Sequence, residues 1–537
     1  MSRMKNSLKR VLTLSMAAAA ALAMTTTAFA DEPYNSYNYD TWEDPIPSQS
    51  GYRVERTVTG AEMGLSRLSD PEDPLFVSEN ASPTLSDAKD MYMDDERSEF
   101  WVADSKNNRI LRLNKDLEVI GRYYGVKGSS EINVDETTGL SNFMNPYGVY
   151  VMTSPITGDL TMYVADYDNS RVVKAKIVSE TECELIQEYT KPEEALYSSK
   201  TFNPTKILVD NAENVYAVVK SVNTGSVQFA RDGSFTGFYG ANRVEVTAAV
   251  IAQKLWRTIA SNDQIAGMAR NVPVEYANFD IDADGFIYTV TEVSTSTDAV
   301  KKLNPAGYNI WDNDVGNKYN FGDIAEAQWD ATTNSKHSTR LTDIVIGNNG
   351  LINVLDYETG RVFQYDRNCN LVCIFGTKNS TSDQRGSFGN PNAVEALGNN
   401  VYVLDGAKND ITVFTETMFG KYVHAAFENY DEGRYSEAKA DWEEVIKRDG
   451  NYTMAYIGLG KAALNDGEYS KALKYFKTAY DQDDYDKAFK YTREDFLRDH
   501  FTAMIVIILA FIVWVIILKV IHKKGIYLIK KKSKEGK

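Results

Sequence analysis

Asp280-Ile-Asp282-Ala-Asp284-Gly285 opens like the calcium loop of an EF-hand, in which carboxylates at alternate positions converge on one ion. The twelfth position is Thr291 rather than the bidentate Glu, and Glu292 comes one residue late. The flanks alternate like strands, so the stretch reads as an Asp-Gly hairpin turn. The four histidines, His337, His424, His500 and His522, are too scattered for a three-His zinc site in one folded unit. His337 has Ser338 beside it, but neighbours in a strand point to opposite faces, which disfavours a Ser-His pair. Three cysteines make no disulfide framework. If the segment is extended, Cys369 and Cys373 share a face about 13 Å apart by strand rise, too far to bridge. No catalytic residue and no metal ligand is assigned.

The elements that would position any site form a repeat. One phrase recurs as FWVADSKNNRILRLN (100–114), MYVADYDNSRVVKAK (162–176), VYAVVKSVNTGSVQFA (215–230), IYTVTEVSTSTDAVKKLN (287–304), INVLDYETGRVFQYD (352–366) and VYVLDGAKNDITVFT (401–415). Each is a strand, a polar turn and a second strand, with a further strand upstream and, in four copies, an aromatic strand end downstream. Six copies of a strand meander predict an all-β six-bladed propeller over residues 51–417. The sixth copy stops after three strands, and Tyr52 to Val58 is a lone strand before the first. That strand is expected to complete blade six and remove an exposed edge. A helix is expected over Val244 to Met268, between copies three and four.

Inner strands of a propeller surround its central channel. The residue leading into each is Asp87, Asn145, Asn203, Glu275, Arg340 or Asn390, and three positions on come Asp90, Gly148, Lys206, Asn278, Asp343 and Ala393. These twelve should ring one mouth of the channel. The ten polar ones among them are a candidate site for a small polar ligand such as a sugar, with Lys206 and Arg340 opposite acids. Turn chemistry alone also favours Asn and Asp at such positions.

The phrases at 100–114 and 162–176, with Asn-Pro at 145, 203 and 390, resemble NHL-type propeller repeats. Copies three, four and six depart from that pattern. The resemblance implies fold more than function, because such propellers host binding modules and enzymes alike. Gluconolactonase-like propellers imply an alternative, a hydrolase with one divalent cation on the axis held by carboxylates and Asn. After the propeller, Gly433-Arg-Tyr435-Ser-Glu-Ala438 matches Gly467-Glu-Tyr469-Ser-Lys-Ala472 at an offset of 34 residues. That is the tetratricopeptide period, and residues 420–498 resemble a short array of such helical repeats. Tyr456 and Tyr475 are its candidate partner-binding residues.

The two ends predict topology. Residues 1–30 carry Arg3, Lys5, Lys9 and Arg10, a short apolar stretch and Ala28-Phe29-Ala30, as a secretory signal does. Residues 31–50 read as a linker. Phe501 to Leu518 is uncharged, about 27 Å long as a helix, and begins a transmembrane segment at 501–521. The basic tail, 522–537, follows. The last 19 residues hold eight Lys and one Glu, which places them on the cytoplasmic side and the body outside. The whole chain of 537 residues carries a net −17, and the stretch between the two basic ends about −28, which disfavours nucleic acid. The layout resembles membrane-tethered NHL and tetratricopeptide proteins linked to carbohydrate ABC uptake systems in Gram-positive bacteria. That resemblance implies a binding scaffold without a cofactor. Its expected partners are the membrane, cell-envelope proteins such as an ABC transporter or its solute-binding protein, and carbohydrate.

Overall fold

The repeated phrase folds as the second and third strands of each blade, and the strand upstream of it lies against the channel. In blade one the order is Asp90–Asp94, Glu99–Asp104, Arg109–Leu113 and Val119–Tyr123, all antiparallel. The computed structural model describes residues 32–199, 201–240, 275–292, 299–311, 319–324, 329–330, 335–382 and 384–523. The expected signal segment, the helix at 244–268 and all of the tail beyond Lys523 lie outside these residues.

Blades two, three and five repeat the meander, with inner strands Pro146–Thr153, Pro204–Val209 and Leu341–Ile346. Blade four has three described strands from Tyr276–Ile281 to Val300–Leu303, and a bridge from Leu303 to Asn309 marks its outer side. The inner strands of all six blades contact one another in a closed circle. Blade six is Pro391–Leu397, Asn400–Asp405 and Asp410–Glu416, closed on the outside by Tyr52–Thr59. Tyr52 pairs with Glu416 and Thr59 with Asp410, so the beginning and end of the propeller share one sheet and the edge of Asp410–Glu416 is covered.

The repeated Asp has a local task. Asp104 accepts from Ser86 N at 2.7 Å, Asp166 from Met144 N at 2.7 Å and Asp356 from Arg340 N at 3.1 Å. Each ties the loop that leads into its own blade's inner strand. In blades one and two the fully buried Arg109 and Arg171 pair with these carboxylates at 2.6 and 2.8 Å. That pairing explains the Asp-x4-Arg spacing of the first two phrases.

Five helices follow: α1 (Met418–Asp431), α2 (Lys439–Arg448), α3 (Thr453–Asn465), α4 (Tyr469–Ala479) and α5 (Gln482–Lys523). The first three share the propeller's core, while α3, α4 and α5 close a small cluster of their own around Ala463, Ala472, Phe476 and Ala488. One apolar cluster runs from Tyr52, Val372, Phe375 and Phe414 of blades five and six into Phe419, Phe427, Trp442, Tyr452 and Leu459 of α1 to α3. Gly420 makes the close approach possible, since a Cβ there would lie 2.1 Å from Gly51 O. His424 of α1 bonds both Glu416 and Gln364 (the latter at 2.7 Å), and Tyr452 OH donates to Val372 O at 2.7 Å.

Residues 32–50, read in sequence as a linker, are docked because their aromatic side chains find burial. Tyr34 joins the shared core, Tyr37 and Tyr39 bond Asp323, and Ser48 Oγ donates to Asp449 at 2.6 Å. Helix α5 is continuous over 42 residues, about 63 Å at the α-helical rise. Its apolar stretch from Phe501 to Leu518 is almost wholly exposed and is long and apolar enough to cross a membrane.

Candidate functional site

The twelve ring residues occupy two tiers with different tasks. The outer tier stitches blades together. Asp87 N donates to Asn409 Oδ1 of blade six at 3.0 Å, and Asn145 N to Asn108 Oδ1 of blade one at 2.7 Å. Asn203 Nδ2 donates to Tyr167 O of blade two at 3.1 Å, and Glu275 accepts from Ser221 N of blade three at 2.9 Å. Arg340 Nε donates to Glu292 of blade four at 2.7 Å while lying over the Tyr357 ring, and Asn390 accepts from Tyr357 OH of blade five at 2.9 Å. Each lead-in residue thus bonds to the preceding blade, so the outer tier spans every seam of the propeller.

The inner tier is brought together and buried. Lys206 of blade three pairs with Asp90 of blade one, reaching past blade two. Blade two offers Gly148 at that level. A Cβ there would sit 2.6 Å from Thr205 O and 3.1 Å from Lys206 Cα, so a side chain would collide with the very strand that carries the lysine. Asn278 of blade four donates to Asp343 of blade five, and blade six contributes the small Ala393. Asp90 and Asp343 also accept backbone N–H groups of the next blades, from Val149 at 2.9 Å and Val394 at 2.6 Å. Burial works against the Lys206 charge, but Asp90 and Asp343 outweigh it and hold the ammonium above the ordinary lysine value. Burial lifts the Asp343 carboxyl to about 6.

Two residues further along each inner strand lies a tier the sequence reading passed over, though the period of two reaches it directly. Tyr92 and Tyr150 pack at 4.6 Å, and Asp280 and Glu395 face the same space. Asp280 accepts from Ile346 N at 2.7 Å, and burial raises it to about 7. Burial, reinforced by Asp280, Asp343 and Asp90, pushes Glu395 well above the carboxylate range. Among the described residues, the carboxyl groups of Asp90, Asp280, Asp343 and Glu395 thus stand in the channel around the Lys206 ammonium.

This arrangement does not suit a divalent cation on the axis. Lys206 stands among the carboxylates, and those of Asp90, Asp280 and Asp343 are turned to backbone amides. Among the described residues no three His, Cys, Asp or Glu side chains converge as a metal requires. The aspartates of the calcium-loop look-alike separate: Asp280 faces the channel, while Asp282 ties the turn by accepting from Asp284 N and Phe286 N.

The remaining candidates are dispersed. Arg340 and Lys206, expected to face one ligand, lie in different tiers. His337 bonds the buried Asp323 at 2.8 Å, together with Arg361 and Tyr37, on the outer side of blade five. Tyr456 is half-buried and donates to Gly450 O at 3.0 Å, and Tyr475 fills the space between two apolar clusters. All three cysteines are free thiols, and burial raises each, Cys183 to about 12.

No known protein-family profile and no curated protein matches this chain. Among solved structures it is similar to virginiamycin B lyase from Staphylococcus aureus, at 11% identity and a TM-score of 0.35 over 62% of this chain and 95% of that one. It is also similar to a Bacteroides thetaiotaomicron protein of unknown function, at 10% identity and a TM-score of 0.38 over 62% of this chain and 70% of that one. A luciferin-regenerating enzyme aligns at 9% identity and a TM-score of 0.34 over 62% of this chain and 91% of that one.

Proposed function

We propose that this chain is a membrane-anchored extracytoplasmic binding scaffold. An NHL-like propeller and a short tetratricopeptide-like array are held as one body outside the cytoplasm, and the lysine tail lies inside. The observation that carries this reading is the apolar cluster shared by blades five and six and the first three helices, which makes the helices an extension of the propeller. Helix α5 then joins that body to the membrane without a break. Such a layout presents a fixed surface at a fixed height, which suits docking onto another envelope protein. An accessory role beside a carbohydrate ABC transporter is the partner class that the sequence resemblance suggests.

The test is cross-linking in intact membranes, followed by affinity capture of the full-length chain. A stoichiometric integral membrane partner, lost from a Tyr456→Ala variant that still folds, supports the scaffold. A chain recovered alone overturns it.

A further inference from the structure

Helix α5 leaves one face uncovered above its apolar stretch. Asp484 and Ala488 are buried against the other helices, and Tyr491 stacks on Tyr469 of α4 at 5.4 Å. About a third of a turn away, Phe489 and Phe496 are 49% and 57% exposed. Phe489 stands twelve residues before Phe501, about 18 Å above the apolar stretch at the α-helical rise. Headgroups extend only about 5–8 Å beyond the hydrocarbon of a bilayer, so they reach Phe496 but leave Phe489 in water.

The two phenylalanines begin a repeat that runs on through the span. Phe489, Phe496, Ala503, Ala510 and Ile517 recur at intervals of seven, and Val506, Val513 and Val520 lie between them at alternating steps of three and four. Both alanines and three of the four valines between Phe501 and Lys523 fall on this stripe, while Met504, Leu509, Phe511, Trp514 and Leu518 lie off it. One side of the span is therefore narrow, and short side chains are what let two membrane helices approach closely. A seven-residue stripe favours the left-handed crossing of about 20° that soluble coiled coils and most membrane bundles share, so one geometry serves the helix in water and in lipid.

The borders of the stripe decide what covers it. Asp495 and Asp499 flank it on one side, and Arg493 and His500 on the other. A two-fold axis along the helices brings the acidic border of one copy against the basic border of the next. Arg498 contacts both aspartates from the far side, at 2.7 and 3.6 Å, which limits repulsion between the two Asp499 carboxylates. A second copy also arrives with the same topology and at the same height in the membrane, so its stripe meets this one level for level. We propose that this chain is a parallel homodimer, joined along α5 from Phe489 through the span to Val520. The proposal rests on the reading of α5 as a membrane anchor, and it does not involve Tyr456.

The test uses the full-length chain in its native membranes, with one cysteine introduced at a time and a mild oxidant. Burial raises all three native thiols, so they compete poorly. Phe489→Cys and Phe496→Cys should form disulfide-linked dimers in high yield, and Lys490→Cys and Glu494→Cys, on the opposite side of the helix, should not. Native mass spectrometry of the detergent-extracted chain should find two copies. The Phe489→Glu/Phe496→Glu double variant should weaken the dimer about tenfold or more. Its melting temperature should not change, because both rings are exposed on their own chain. A second variant, Ala510→Leu, widens the narrow side of the span and should weaken the dimer as well. The dimer is overturned, and the anchor left standing, by an integral but monomeric chain or by equal cross-linking at all four positions. Cross-linking of Phe489→Cys to a different protein in place of a second copy does the same. A chain released from membranes by alkaline carbonate overturns the anchor, and the dimer with it.

Discussion

Lys206 and Asp90 form a strut across the propeller channel, joining blades one and three over the glycine of blade two. The pair is buried, and Asp343 lies close enough to Lys206 to add to its stabilisation. The strut is made by the chain itself, and it occupies the channel at the level of the buried inner tier.

Replacing Lys206 by Met leaves Asp90 and Asp343 without their cation. Breaking one partner of a buried pair costs about 3–5 kcal/mol. The Lys206→Met variant should therefore unfold at a clearly lower denaturant midpoint. Adding Asp90→Asn should recover much of the loss, since the buried charge goes with it. Additive losses in the double variant would show that the two groups do not act on each other.

The channel also sets a pH dependence. Asp280 titrates at about 7 in the folded chain, against an ordinary value of 3.8, because burial disfavours its charge. Its surroundings are acidic as well: Asp343, Asp95 and Glu395 face it. The folded state therefore binds a proton that the unfolded state has released between roughly pH 4 and 7. Stability is full below that window and is lost as pH rises through 7. Each pKa unit corresponds to about 1.4 kcal/mol. Unfolding midpoints should fall from pH 5 to pH 8, and Asp280→Asn, which can still accept from Ile346 N, should flatten the fall. Parallel pH profiles for variant and wild type would remove Asp280 as its source.

Blade six breaks the Asp-x4-Arg rule. Asp405 ties its lead-in loop by accepting from Gly389 N at 2.6 Å, but the arginine place holds Asp410. Burial and Asp405 raise Asp410 to about 7. Asp410→Asn should stabilise the chain at pH 8, where the wild type carries two close carboxylates, and change little at pH 5. An equal effect at both pH values would mean that packing, not charge, decides.

Much of this was legible in the sequence for physical reasons. The hairpin phrases show because a strand period of two and a polar turn survive in every copy. Closure by Tyr52–Thr59 follows from a strand deficit at one end and a surplus at the other. The lead-in residues stand out because one polar residue precedes the inner strand in every copy, and in the structure each bonds across a seam. The strut was hidden because it depends on what blade two lacks at Gly148, and a missing side chain carries no signal without the fold. The docking of residues 32–50 was hidden too, since Tyr34, Tyr37 and Tyr39 show no period until the groove they fill exists.

Membrane orientation is open to a thiol test because the native cysteines are poor competitors. Cys183 and Cys373 are buried, and burial raises all three thiols, so little reactive thiolate exists near neutral pH. Two single substitutions at exposed positions then report the two sides: Glu72→Cys on the propeller and Lys523→Cys at the end of α5. A membrane-impermeant maleimide added to intact cells should label the first and spare the second. Permeabilisation should expose the second. On the proposed topology the lysines beyond the span set the orientation, since basic residues beside a span are retained in the cytoplasm. Exchanging Lys519 and Lys524 for Glu in the Lys523→Cys chain should raise the fraction of chains whose tail is labelled from outside. Labelling of Lys523→Cys in intact cells with the lysines in place would reverse the topology and move the whole propeller to the cytoplasmic side.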